Sequence, residues 1–269
     1  MTSIQNVQFL SNDQLAKQAP SIFAANKAPT RSEKYTYVPT LDIVEEMRRQ
    51  GFFPVQARES KTRIVANQGY TKHRILFARE ERKAVKGEYL PYISIVGSHN
   101  GASQLEGNAG CKVWRCDNGL MADDASFGAF KVPHKGDILG DVIEGVYSIL
   151  GNTHLMADQL EEFRGIHLPR SAQLALAKSA IPLRWDAAID GSFGVEPQQL
   201  LIARRRESAG NSLFDVFNNI QENIIRGQVP KRAANGKVRN SREVKSVNED
   251  QRLNKALWTL SAEMARLVA

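Results

Sequence analysis

The sequence predicts an α+β fold, an antiparallel or mixed β-sheet packed by a long helix and followed by a helical C-terminal half. Three observations carry this reading. Four stretches rich in β-branched and aromatic residues follow one another between residues 52 and 121, with turn residues and no helical pattern between them, so βαβ units are not available. From Ile138, apolar residues recur at steps of mostly three to four through Val142, Val146, Ile149, Met156, Leu160 and Phe163, the period of an amphipathic helix. Beyond residue 166 the pattern is a series of shorter helices.

The elements follow in order. Residues 1–34 read as a flexible N-terminal arm. Within it Ser11 and Gln14 form a capping box for a short helix through Lys17, Pro20 ends that helix, and Ile22 and Phe23 are apolar anchors. Residues 35–165 read as the α+β core domain. Thr40 is placed to cap a helix over 41–50 with Leu41, Val44 and Met47 on one face, and Gly51 stops it. Residues 52–66 and 70–83 read as a hairpin around Asn67-Gln68-Gly69, 89–97 as a third strand and 110–121 as a fourth that turns at Asp117-Asn118-Gly119. The long helix that follows has a candidate break at Gly151-Asn152.

Residues 166–227 form the helical region. One helix covers 170–180 after Pro169, another lies near 197–208, and a third over 211–227 has Leu213, Phe214, Phe217, Ile220 and Ile224 on one face with Gly227 at the stop. Residues 228–247 read as a basic linker. The last helix, 248–269, is capped by Ser246 and Glu249 and carries apolar Leu253, Leu257, Leu260, Met264 and Leu267.

A net charge of +7 and a pI near 9.4 favour an anionic partner, nucleic acid or an acidic membrane surface. No apolar run is long enough to span a bilayer, and the N-terminus lacks the basic and apolar pattern of a secretory signal. Two cysteines are too few for a disulfide scaffold and suit a reducing cytoplasm.

Basic residues are the strongest functional signal. Lys61, Arg63, Lys72 and Arg74 fall on the predicted hairpin, Arg63 and its neighbours across from Arg74, with Tyr70 and His73 interleaved. Cations beside rings on a sheet suit the backbone and bases of a single nucleic-acid strand. Arg204, Arg205 and Arg206 form a cluster on a helix. Gln228 to Ser246 adds Lys231, Arg232, Lys237, Arg239, Arg242 and Lys245 against one acidic side chain, Glu243, with no apolar stripe. The competing explanation is that water-facing strands carry cations for solubility and edge protection, and that linkers are often charged.

Other constellations point elsewhere. His73, His99 and His134 could together serve a metal-dependent or histidine-based hydrolase of nucleic acid. Cys111 and Cys116 with His99 invite a metal, but Cys-x4-Cys is wide for a zinc knuckle, and residues five apart on a regular strand face opposite sides. Buried structural cysteines and no metal are the expectation. Ser98 to Ser103, SHNGAS, reads as a turn in which Asn100-Gly101 needs positive φ. No phosphate-binding glycine motif occurs, so neither nucleotide hydrolysis nor a cofactor is expected.

A set of short motifs spans nearly the whole chain: Ala19-Pro20-Ser21-Ile22-Phe23-Ala24, Tyr35-x-Tyr-x-Pro-Thr, Gly51-Phe-Phe-Pro-Val, Lys72-His73-Arg74, Ser98-His-Asn-Gly-Ala-Ser, Cys116-Asp-Asn-Gly-Leu, His134-Lys-Gly, Glu222-Asn-Ile-Ile-Arg-Gly and Arg252-Leu-Asn-Lys-Ala-Leu-Trp. In order and spacing the chain resembles a phage- and plasmid-borne family of uncharacterised proteins. The resemblance implies a mobile-element protein of the bacterial cytoplasm, without a settled activity. Where that family usually has an apolar or aromatic residue near Cys111, this chain has cysteine, which weighs further against a metal. At the level of fold alone, a helix, a hairpin with further strands and a long helix look like the core of Red-beta/Erf-like single-strand annealing proteins. The expectation is a homo-oligomer that binds and anneals single-stranded DNA without enzymatic activity. A nucleic-acid hydrolase, or a protein-interaction factor such as an inhibitor of host defence, is the alternative.

Overall fold

The computed structural model describes residues 8–32, 35, 37–80, 89–113, 119–121, 128–132, 138–187, 193–233 and 235–268. It divides the chain into two units, Met1–Trp114 with Asp124–Leu155, and Arg115–Asp123 with Met156–Ala269. The α+β class is borne out, with the sheet in the N-terminal half and helices dominating the C-terminal half.

In the first unit, β1 (Phe52–Glu59), β2 (His73–Arg79), β3 (Tyr89–Gly97), β4 (Leu105–Val113) and β6 (Ala129–Val132) pair in the order β1-β2-β3-β4-β6, every pair antiparallel. Phe77 in β2 and Ile93 and Ile95 in β3 are buried, and no residue of β2 before Arg79 is exposed, as central strands require. β1 alternates and is the edge. Its register shifts between Pro54 and Gln56, which is where an edge strand tolerates a residue without an N–H.

The edge explains the N-terminus. Residues 8–32 of the segment read as a flexible arm are instead fastened along β1. The Leu10 and Ala57 N–H groups donate to Pro54 O (2.8 Å) and Gln18 Oε1 (3.0 Å), and Ser21 N–H donates to Glu59 Oε2 (2.9 Å). Phe9 stacks on Phe53 at 4.9 Å, and Leu15 and Ile22 are fully buried. Covering an exposed strand edge removes a pairing hazard, so the segment is ordered by what it covers. Its helix α1 (Asn12–Gln18) carries the expected reciprocal capping box of Ser11 and Gln14.

Helix α2 (Thr40–Arg49) buries Ile43, Val44 and Met47, whereas Leu41 is only half-buried, so its apolar face is turned from the expected one. Helix α3 (Ile138–Gly165) runs unbroken through Gly151-Asn152 and supplies residues to both units. Its Gly145 and Gly107 of β4 make room for the Phe130 ring of β6. A Cβ on either would come within 2.3 and 2.1 Å of that ring, so a long helix does lie against this sheet. The fourth strand begins earlier than expected, at Leu105. Its predicted continuation through Cys116 falls outside the described residues.

The second unit holds β5 (Gly119–Met121), α4 (Arg170–Ala180), α5 (Pro197–Leu200), α6 (Leu213–Arg226), β7 (Pro230–Arg232), β8 (Val238–Asn240) and α7 (Val247–Val268). Of the 14 residues of α6, 12 are buried, which makes it the axis of this unit. The nitrogens of its buried amides are bonded: Asn219 Nδ2 to Ser208 O (2.9 Å), Asn223 Nδ2 to Leu200 O (3.0 Å) and Gln221 Nε2 to Asn254 Oδ1 on α7 (2.7 Å). Phe163, Phe217 and Trp258 pack ring to ring around it, with centroids 5.7–6.3 Å apart. Helix α7 packs on α4 and α6 and buries Leu253, Leu257 and Trp258, while Leu267, expected on the same face, is 80% exposed.

Candidate nucleic-acid interface

The stretch read as a basic linker folds into a hairpin. β7 pairs β8 with Pro230 opposite Asn240, Lys231 opposite Arg239 and Arg232 opposite Val238. The turn closes through Ala233 N–H to Lys237 O (2.8 Å) and Gly236 N–H to Ala233 O (2.8 Å), with Gly236 at φ +78°. What pins it is a few valines spaced too widely to look like a stripe. Val229, Val244 and Val247 are buried, and Gln228 N–H to Ser241 O (2.7 Å) and Val244 N–H to Ile225 O (2.8 Å) tie the base of the hairpin to the end of α6. A two-stranded hairpin is marginal alone, and these anchors hold it.

Four of its cations have no ion-pair partner among the described residues. Among the described residues, no side-chain partner pairs with Lys231, Arg232, Lys237 or Arg239, and all but the half-buried Lys231 are exposed. Lys231 and Arg239 moreover stand directly opposite each other, an arrangement of like charges that destabilises a strand pair.

The other basic clusters behave differently. The helix expected near 197–208 ends at Leu200, so Arg204, Arg205 and Arg206 do not share a helical face. Arg204 Nε donates to Asn223 Oδ1 (2.9 Å) and its Nη2 donates to Gly227 O, while burial lowers its pKa against the pull of Glu222. Arg205 reaches the buried Glu222 at 2.8 Å, and Arg226 reaches the same carboxylate at 3.3 Å. Two of the three arginines are therefore structural. Only Arg206 is exposed without a side-chain partner among the described residues.

In the first unit the predicted hairpin is present as β1 and β2, but its strands stop short. Lys61 and Arg63 lie in the connecting loop, exposed beside Ile64 and Val65, which are 61% and 77% exposed. Arg74 lies opposite Arg58, not Arg63, and is buried at 6% exposure, so it is not available to a phosphate. Lys72 is half-buried. Burial lowers its pKa, Glu106 raises it and Lys131 lowers it. Tyr70 and His73 do not flank a cationic surface, because His73 faces inward.

The structure does bring two of the histidines together. His73 and His99 are 1% and 2% exposed, with ring centroids 5.2 Å apart. Thr40, the first residue of α2 and not its cap, places its hydroxyl between them, 2.9 Å from His73 Nε2 and 3.1 Å from His99 Nε2. His73 Nδ1 lies 3.1 Å from the Thr71 carbonyl and 3.0 Å from Ser21 Oγ. Because a carbonyl only accepts, the proton of His73 sits on Nδ1, its Nε2 accepts from Thr40, and Thr40 accepts from His99 Nε2–H. Burial holds His73 far below the usual histidine range, at about 3, with His99 pushing the same way and the Thr71 carbonyl opposing. The network is sealed from solvent, and His73 is neutral within it. Sequence reasoning missed Thr40 and Ser21 as its members, since a threonine before a helix reads as a cap. His134 and Cys116 lie outside the described residues. No cluster of His, Cys, Asp or Glu suited to a metal occurs among the described residues, and none of their helices is long and apolar enough to cross a membrane.

Fold and site together describe an α+β protein with a pinned basic hairpin whose cations lack an ion-pair partner among the described residues. Residues 28–258 match the family model "Domain of unknown function (DUF932)", and the chain belongs to that family. Two proteins of Escherichia coli (strain K12), "UPF0380 protein YafZ" and "UPF0380 protein YfjQ", are each 34% identical to it over 252 residues, covering 94% of this chain and 90% of the relative. No solved structure matches. The resemblance to an uncharacterised family holds at that level.

Proposed function

We propose that the protein binds single-stranded DNA through the Pro230–Asn240 hairpin and acts, without catalysis, to bring strands together during recombination of a phage or plasmid. One observation carries the reading. The fold holds Lys231 against Arg239 and leaves Lys231, Arg232, Lys237 and Arg239 without a counter-charge among the described residues, at a cost in stability that an anionic partner would relieve. Lys61 and Arg63 add an exposed cationic loop in the other unit. A homo-oligomer in the cytoplasm would present several such hairpins to one strand. The hydrolase reading is less favoured, because His73 and His99 are sealed from any substrate and bonded to Thr40.

The test is fluorescence anisotropy of the purified protein with labelled oligothymidine over a range of salt. Four phosphate contacts predict a slope of log affinity against log salt of about −3. Replacing Lys231, Arg232, Lys237 and Arg239 by Ala should flatten that slope toward zero, and preference for single over double strands should be evident. Absence of binding at low salt would move the search to an acidic protein partner.

A further inference from the structure

A cleft of about 550 Å³ opens in the second unit beside the hairpin. Its size is that of a small-molecule site. Ile181, Phe193, Val195 and Val238 give it an apolar lining, and Lys178 and Arg232 are exposed cations on its wall. Glu196 also borders it and brings one negative charge to the rim, and its backbone N–H is occupied in donating to Gln199 Oε1 (2.7 Å).

The cleft is rigidly built. Arg232 N–H donates to Gly194 O (2.8 Å), and Gln199 Nε2 donates to Pro230 O (3.0 Å), so segment 193–199 is fastened to β7 at two points. Gly194 has φ +66°, and a Cβ there would lie 2.1 Å from Arg232 O. Only glycine lets the two backbones approach this closely. Val238 is 54% exposed on β8, an apolar side chain on an otherwise polar and charged strand.

We propose that this cleft takes a nucleobase of the single strand whose phosphates lie on the hairpin, the base ring against Phe193 and Val238 and the flanking phosphates against Lys178 and Arg232. The inference rests on the hairpin's reading as a nucleic-acid contact. The juxtaposition is what carries it: an apolar slot opens beside Lys178 and Arg232, which have no ion-pair partner among the described residues, the pairing of ring and phosphate contacts that holds single strands. Every base has a π-face, so the slot accepts bases without reading sequence.

The test compares oligothymidine with an abasic oligonucleotide of equal length, which keeps the phosphates and lacks the bases. Wild-type protein should bind oligothymidine roughly tenfold or more tightly than the abasic strand. Phe193→Ala should erase that preference and leave the salt slope unchanged. Val238→Ser, at a position 54% exposed, should reduce it in the same direction. Equal affinity of the wild-type protein for the two strands overturns the base slot and leaves the hairpin reading intact. So does a preference that survives both substitutions. Failure of both strands to bind at low salt overturns the hairpin reading and this inference with it. The same titration with oligouridine separates DNA from RNA as the source of the base.

Discussion

Acid should destabilise this protein through His73. The residue is fully enclosed, and its pKa falls from the ordinary 6.5 to about 3. Between those values the unfolded chain binds a proton that the folded chain refuses, so stability is complete above 6.5 and declines as pH falls toward about 3. Every tenfold loss of proton affinity corresponds to about 1.4 kcal/mol, so the full loss below about pH 3 is on the order of 5 kcal/mol, and roughly 3 kcal/mol is gone near pH 4.5. That is a large share of the ~5–15 kcal/mol that holds a typical domain. Guanidinium unfolding followed by circular dichroism at about pH 7.5 and about pH 4.5 measures it. Other groups titrate over the same range, so the comparison is with His73→Gln, which keeps a donor and an acceptor in similar places and has no proton to gain. The wild type should lose about 3 kcal/mol more than the variant between the two conditions. Equal losses, or an NMR titration that places His73 near the ordinary histidine value, would refute the reasoning.

Three further outcomes follow from single contacts. Lys231→Glu turns a repulsive cross-strand pair into an attractive one and should raise stability by about 0.2–1 kcal/mol while weakening oligothymidine binding, as a denaturation curve and an anisotropy titration of one preparation will show. Leu257→Ala, at a site 1% exposed, should cost about 2–5 kcal/mol in urea unfolding, whereas Leu267→Ala should stay within about 0.5 kcal/mol despite its place in the same predicted stripe. Gly194→Ala should cost at least ~1 kcal/mol from its backbone conformation alone and loosen the hairpin, seen as faster amide exchange at Arg232.

Local chemistry made much of this protein readable. Ser11 with Gln14, Pro169 before α4, and Gly227 after α6 mark ends through bonds within a turn, so their elements appear where the sequence places them. Strands within 52–66 and 70–83 and the strand 89–97 could be read from composition, though the first two are shorter than expected, and an antiparallel or mixed sheet from the lack of helices between them. Which cations are available could not be read, because pairing is decided by distant residues. Arg205 finds Glu222, which is 17 positions away, and Arg74 is enclosed between strands, while Lys231 and Arg239 look the same in sequence and remain uncompensated among the described residues. His73 and His99 meet only because β2 and the turn after β3 converge on Thr40, 33 and 59 residues away from them. The sequence by itself determined the class of fold, the helix ends and the excess of positive charge, all of which depend on neighbours a few residues apart. Tertiary structure alone decided which charges are neutralised, which histidines are sealed and where the hairpin and its cleft form, since each depends on contacts between segments that the chain keeps far apart.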